Sequence, residues 1–170
     1  MGSITDIPIK LFVMNSIIPQ VSINKYILRE RERLLMQVRL FNPEGAGVTN
    51  GEVSAEINGI SLKLNETSPN LYRGEITLTD IRAGEYPLKI IARKEGYRSS
   101  TLEIPIRIVI MGDINYDNVV DYKDLAILGR TYGVTSMHPH FDGRADLNND
   151  CIIDYKDLAI LAANYGRGAS

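Results

Sequence analysis

The sequence contains a single cysteine, Cys151, no tryptophan and only three phenylalanines in 170 residues. One thiol excludes an internal disulfide and a cysteine-rich zinc site. With so few large aromatics, a sugar-stacking platform would have to be built from the nine tyrosines, which weighs against a carbohydrate-binding sandwich. Apolar runs are short and broken by Arg, Lys, Pro or Gly, so nothing nears the roughly 20 residues of a membrane-spanning helix. Low-complexity tracts are absent too, and 44% apolar with 24% charged residues is a globular composition. Up to Met111 there are 14 basic and 12 acidic residues, and from Gly112 onward 5 and 9, giving +2 and −4. Neither part has the basic stripe of a nucleic-acid binder. After Gly112 glutamate is missing: all nine acids are Asp, a set that suits short-armed metal ligands better than surface helices. Met1-Gly2-Ser3 reads as an expression remnant, so the absence of a visible signal peptide does not argue for a cytoplasmic origin.

Two regions of different pattern follow. Residues 4–111 are expected to form an all-β, immunoglobulin-like sandwich of seven or eight short strands. Strand-forming segments with β-branched enrichment occupy residues 9–13, 21–28, 34–41, 51–57, 60–64, 71–78, 84–92 and 102–111, separated by turn signals such as Asn50-Gly51 and Asn58-Gly59. Residues 71–76, 83–88 and 94–97 resemble the later strands of immunoglobulin-like domains in prokaryotic surface proteins. The alternating run Arg29-Glu30-Arg31-Glu32-Arg33 reads as a solvated turn whose charges cancel. Asn65-Glu66-Thr67 matches an N-glycosylation acceptor, with Ser68-Pro69-Asn70 suggesting a loop there.

Residues 113–133 recur as 146–166, offset by 33 positions with 13 of 21 identical. Each copy opens with a 12-residue loop whose positions 1, 3, 5, 7, 9 and 12 match the ligand spacing of an EF-hand-type calcium loop. The first copy supplies Asp113, Asn115, Asp117, the Val119 carbonyl, Asp121 and Asp124. The second supplies Asp146, Asn148, Asp150, the Ile152 carbonyl, Asp154 and Asp157. An all-oxygen set selects a hard cation, and calcium tolerates six to eight ligands better than magnesium does. Two calcium ions are therefore expected. Four carboxylates in one loop repel one another without a cation, so the ions should be structural. Position 6, where the pattern expects Gly with positive φ, holds Asn118 and Cys151, and the second loop should be the weaker site. Val120 and Ile153, at position 8, are expected to pair with each other in a short β-bridge. Behind the loops, Leu125, Leu128 and Tyr132, and likewise Leu158, Leu161 and Tyr165, predict one apolar helix face. Gly133 and Gly166 stand where C-terminal caps are expected. A strand runs straight into Gly112-Asp113 without a linker, so the two regions should abut.

Gly112-Asp113-Ile114-Asn115 and Asp121-Tyr122-Lys123-Asp124-Leu125, repeated in tandem with Asp at position 12, resemble dockerin modules. The resemblance implies a small all-α module over residues 112–166 that binds a cohesin-type domain. It also implies a protein secreted or held at the cell surface, associated with polysaccharide through its parent. The preceding sandwich resembles the X-modules found before some dockerins. Carried over, the partner contacts at positions 10 and 11 are Tyr122, Lys123, Tyr155 and Lys156, the other reading being that the two tyrosines simply cover the helix starts; Ala126, Ile127 and Ala159 offer an adjoining apolar patch, with the core as the equal alternative for Ile127. Because residues 121–128 and 154–161 are identical, a half-turn would present nearly the same surface. Two other readings stand beside this one: a calcium-stabilised structural cap, and a carbohydrate-binding accessory region. An enzyme is not expected, since His138 and His140 have no nucleophile nearby in sequence.

Overall fold

The computed structural model describes residues 15–79 and 81–168. The expected strand at residues 9–13 lies outside them. Among the described residues no helix is long and apolar enough to cross a membrane.

The first part is a β-sandwich. Its strands are β1 (Asn15–Ser16), β2 (Ile18–Ile23), β3 (Ile27–Arg29), β4 (Arg33–Phe41), β5 (Glu52–Ile57), β6 (Ile60–Ser68), β7 (Leu71–Thr77), β8 (Gly84–Arg93), β9 (Tyr97–Arg98) and β10 (Ser100–Val109). Eight of them run in the order β2-β4-β7-β6-β5-β8-β10-β3, while β1 and β9 form a small parallel pair. β6 serves both layers. Its first half pairs with β5, Ile57 to Ile60 at the turn, and beyond Leu64 it turns to β7 with a bulge between Glu66 and Ser68. Alternation gives the layers their inner faces: Leu34, Met36, Val38 and Leu40 of β4 meet Val53, Ala55 and Ile57 of β5 and Leu88, Ile90 and Ala92 of β8 in one core. The segment expected as a strand over 21–28 is two strands, broken at Asn24-Lys25-Tyr26. Asn65-Glu66-Thr67 lies inside β6 rather than in a loop.

The last strand leads into the repeat. β10 pairs in parallel with β3 through Arg107, Ile108 and Val109, and Ile110 then enters a second core with Ile114, Val120, Leu128, Ala145, Leu147, Ile153 and Leu161. Ala83 of the sandwich packs against this core. The charged run at 29–33 does form the expected turn, between β3 and β4 with Arg31 and Arg33 exposed, but its first member is not solvated. Arg29 is 7% exposed and donates from both terminal nitrogens, to the Asp146 carbonyl at 3.3 Å and the Arg144 carbonyl at 2.6 Å. Glu30 holds Arg167 at 2.9 Å, and Arg107 donates to the Tyr116 carbonyl at 2.8 Å. Each loop of the repeat is thus gripped from behind by a sandwich arginine, as the lack of a linker requires. Replacing Arg29 with Met would leave two carbonyls without their donor. The expected loss is about 1–3 kcal/mol, read as a lowered urea midpoint of the full chain.

Candidate functional site

Helix α1 (Tyr122–Arg130) and helix α2 (Tyr155–Asn164) each begin directly on a loop aspartate. Asp121 and Asp154 are the N-caps, accepting from the Lys123 and Lys156 amides at 2.8 Å. Three residues on, Asp124 and Asp157 return a bond to the N-cap amide, so a capping box starts each helix. The same carboxylates reach back to the loop's beginning. Asp124 Oδ1 accepts from the amides of Ile114 (2.7 Å) and Asn115 (3.1 Å), and Oδ2 from Asp121 (2.9 Å). Asp157 repeats this with Leu147, Asn148 and Asp154 at 2.7, 3.2 and 2.8 Å. Both side chains are fully buried.

Position 1 closes the other side. Asp113 accepts from the amides of Asp117 and Asn118, and Asp146 from those of Asp150 and Cys151. Positions 3 and 5 make short side-chain turns, Asn115 onto the Asp117 amide and Asp117 onto the Val119 amide, again matched in the second copy. Burial, and after it the charges of Asp124 and Asp117, push the Asp113 carboxyl above the ordinary carboxylate range, against the pull of the Asn118 amide. At the rim the Lys123 ammonium holds Asp117 below that range, and Lys156 does the same for Asp150.

Among the described residues no three of these side chains already converge as a coordination shell. The donor set nevertheless fits a hard cation. Every candidate side chain is an oxygen donor, position 1 is buried among other carboxylates, and the nearest base stays at the surface.

Several expectations change at this level. Position 6 does take positive φ, 70° at Asn118 and 68° at Cys151, and so does position 4, Tyr116 and Asn149, which sequence reasoning missed. Val120 and Ile153 do not pair with each other. Each binds the strand-like segment that follows the other copy's helix: Val120 exchanges bonds with Gly166 and Arg167, and Ile153 with Gly133 and Val134, all at 2.8–2.9 Å. The position-8 residues point inward as core, and their backbones are left to find partners elsewhere. Of the predicted helix face only Leu128 and Leu161 are buried. Leu125, Leu158, Tyr132 and Tyr165 are exposed. The buried stripe of α1 starts at Asp124 instead, because the capping carboxylate must face the loop. Leu125 and Leu158 consequently join Tyr122 and Tyr155, each 67% exposed, on the outer face. Ala126 and Ala159 lie exposed beside them, while Ile127 packs against the core. Gly133 does not cap α1; Thr131 does, its hydroxyl bonding the Ile127 and Leu128 carbonyls. In α2 the cap is Tyr165, with Gly166 next. His138 and His140 are exposed, their ring centroids 5.4 Å apart.

Cys151 at φ 68° carries strain that Asn118 tolerates better. Cys151→Gly should stabilise the second loop by about 1–2 kcal/mol, whereas Asn118→Gly should change the first loop little. Urea midpoints of the two variants check this, and equal shifts would contradict it.

A family model described as the dockerin type I domain matches residues 111–164. A solved type II cohesin-dockerin domain from Bacteroides cellolosolvens is 37% identical, over 35% of this chain and 90% of that one, with a TM-score of 0.31. A mutant type II cohesin-X-dockerin complex from Acetivibrio cellulolyticus is 17% identical over 91% of this chain and 97% of that one, with a TM-score of 0.33. The Escherichia coli adhesin FdeC is 15% identical over 54% of this chain and 30% of its own, with a TM-score of 0.44. No curated protein matches the sequence. The loop pattern and the two loop-helix units agree with the family-model match, and residues 111–164 of this chain are a dockerin type I domain.

Proposed function

We propose that this chain is a calcium-dependent docking module that binds a cohesin-type domain and tethers its parent, a secreted or surface protein, to that partner. The observation that carries the reading is the doubled loop-helix unit, whose outer face repeats Tyr122 and Leu125 as Tyr155 and Leu158. In the B. cellolosolvens structure the related domain is described together with a cohesin. We assign residues 4–111 to the sandwich and 112–166 to the docking module. The residues that would hold calcium are Asp113, Asn115, Asp117, Asp121 and Asp124 with the Val119 carbonyl, and Asp146, Asn148, Asp150, Asp154 and Asp157 with the Ile152 carbonyl. The ions would supply the positive charge that lets four carboxylates share each loop. The loop's own work is to place the N-cap, and hence the helix and its tyrosine, at a set angle. Tyr122 and Tyr155 are the anchors a partner would cover, with the Lys123 and Lys156 stems beside them. The sandwich arginines on the backs of both loops favour a second reading, in which the repeat is only a structural cap of the sandwich.

Capture of the full chain on a panel of cohesins, with and without EDTA, separates the two. Binding lost on chelation supports docking; a chain that unfolds on chelation yet captures no cohesin supports the cap. The raised Asp113 carboxyl sets the pH sign. A carboxyl that protonates early yields its place to protons early, so calcium affinity at the first loop should fall as pH drops, before ordinary carboxylates titrate. Calorimetric titrations at neutral and mildly acidic pH check it. The duplicated face predicts redundancy. Ala at Tyr122 and Leu125 should leave cohesin affinity nearly intact, as should Ala at Tyr155 and Leu158, while the quadruple variant loses binding. Loss in one double variant with normal calcium content would show a single fixed face.

A further inference from the structure

The lysine at position 11 of each loop repeats one contact in both copies. Lys123 Nζ lies 2.8 Å from Asp117 Oδ2 and 3.8 Å from Asp121 Oδ2. Lys156 Nζ lies at the same distances from Asp150 and Asp154. The loops differ at positions 2, 4, 6, 7 and 8, so the contact follows from the shared residues alone. The oxygen it meets on the position-5 carboxylate is shared with a loop donor, the position-3 side-chain amide, at 3.0 Å in the first copy and 2.9 Å in the second. Asp117 Oδ1 takes the Val119 amide and Asp121 Oδ1 the Lys123 amide, and the ammonium meets the remaining Oδ2 atoms, beside the Asn115 amide nitrogen.

We propose that Lys123 and Lys156 are resident counter-charges of the two loops, and that they set how tightly each loop binds its divalent cation. The inference rests on the calcium reading above. Positions 1, 5, 9 and 12 bring four negative charges to each loop, and the lysine removes one of them. A fixed ammonium next to the position-5 and position-9 carboxylates repels a divalent cation at the same carboxylates and competes with it for them. It also keeps those acids apart from one another's repulsion, so the loop holds its shape with less help. For a partner, the ammonium is not a free cation: an acidic group approaching Tyr122 must compete with Asp117 for it.

The test is a calcium titration of the full chain against a chromophoric chelator, which resolves two stepwise constants. Lys123→Met and Lys156→Met should each tighten one constant by about three- to tenfold at 0.1 M salt, and the double variant both. At 1 M salt the gain should shrink to less than about twofold, because exposed charges are screened. Lys→Arg at either position should retain wild-type affinity, and since Met keeps most of the lysine stem, a purely steric role for that stem would leave the Met variants unchanged. Far-UV circular dichroism in saturating calcium checks folding, and Lys→Gln replaces any Met variant that fails it. Unchanged or weaker binding in the neutral variants overturns the proposal. A wild-type chain that takes up no calcium overturns the calcium reading itself, and this one with it.

Discussion

Each half of the docking module depends on one buried carboxylate. Asp124 joins the amides of the second and third residues of its loop to the N-cap amide of α1, and Asp157 does so for α2. Three amide donors on one carboxylate are worth more than three neutral hydrogen bonds, since bonds to a charged acceptor contribute about 1.5–3 kcal/mol each. Against this stands the several kcal/mol needed to take an ion out of water. The balance holds only while loop, cap and helix form together. The helix angle and the exposed tyrosine that follows from it are therefore consequences of loop closure, not of helix propensity.

The sandwich adds a second constraint from outside. Arg29 and Arg107 donate to backbone carbonyls of the loops and leave the carboxylates alone. This division matters electrostatically. A guanidinium on a loop carboxylate would cancel negative charge that the proposed cation would need, whereas one on a carbonyl fixes the loop's course without touching a candidate ligand side chain. The surface lysines do the opposite, meeting carboxylates at the rim where water screens them. Shape is set from the buried side and charge from the exposed side.

Much of this was legible in the sequence. The alternating segments located most of the strands, the 33-residue offset and the apolar spacing behind it located both loops and both helices, and position 6 of the loop pattern pointed to the positive φ of Asn118 and Cys151. Among the features that were not legible, three have a clear physical reason. The burial of Arg29 is hidden because a charged run carries no sign of which member turns inward; it is decided by carbonyls more than 100 positions away. The helix face was misjudged because periodicity counts apolar residues, and here the residue that must face inward is Asp124. The cross-pairing of Val120 with Arg167 and of Ile153 with Val134 was missed because a duplicated sequence suggests like pairing with like. The two halves instead interlock, each completing the other's backbone.

That interlocking brings the two ends of the docking module together. Gly112, at φ 100°, lies so near the end of α2 that a side chain there would come within 3.5 Å of Asn164, and Gly168 bridges Val119 in the first loop. Start and finish are neighbours, while the exposed stretch between the copies, around Met137 and Pro139, makes few commitments to the core. Topologically the module is closer to a ring than to a line. Its order of synthesis is one of at least two ways to thread the same contacts, and a chain begun between the copies and joined across the present ends would close the same two loops.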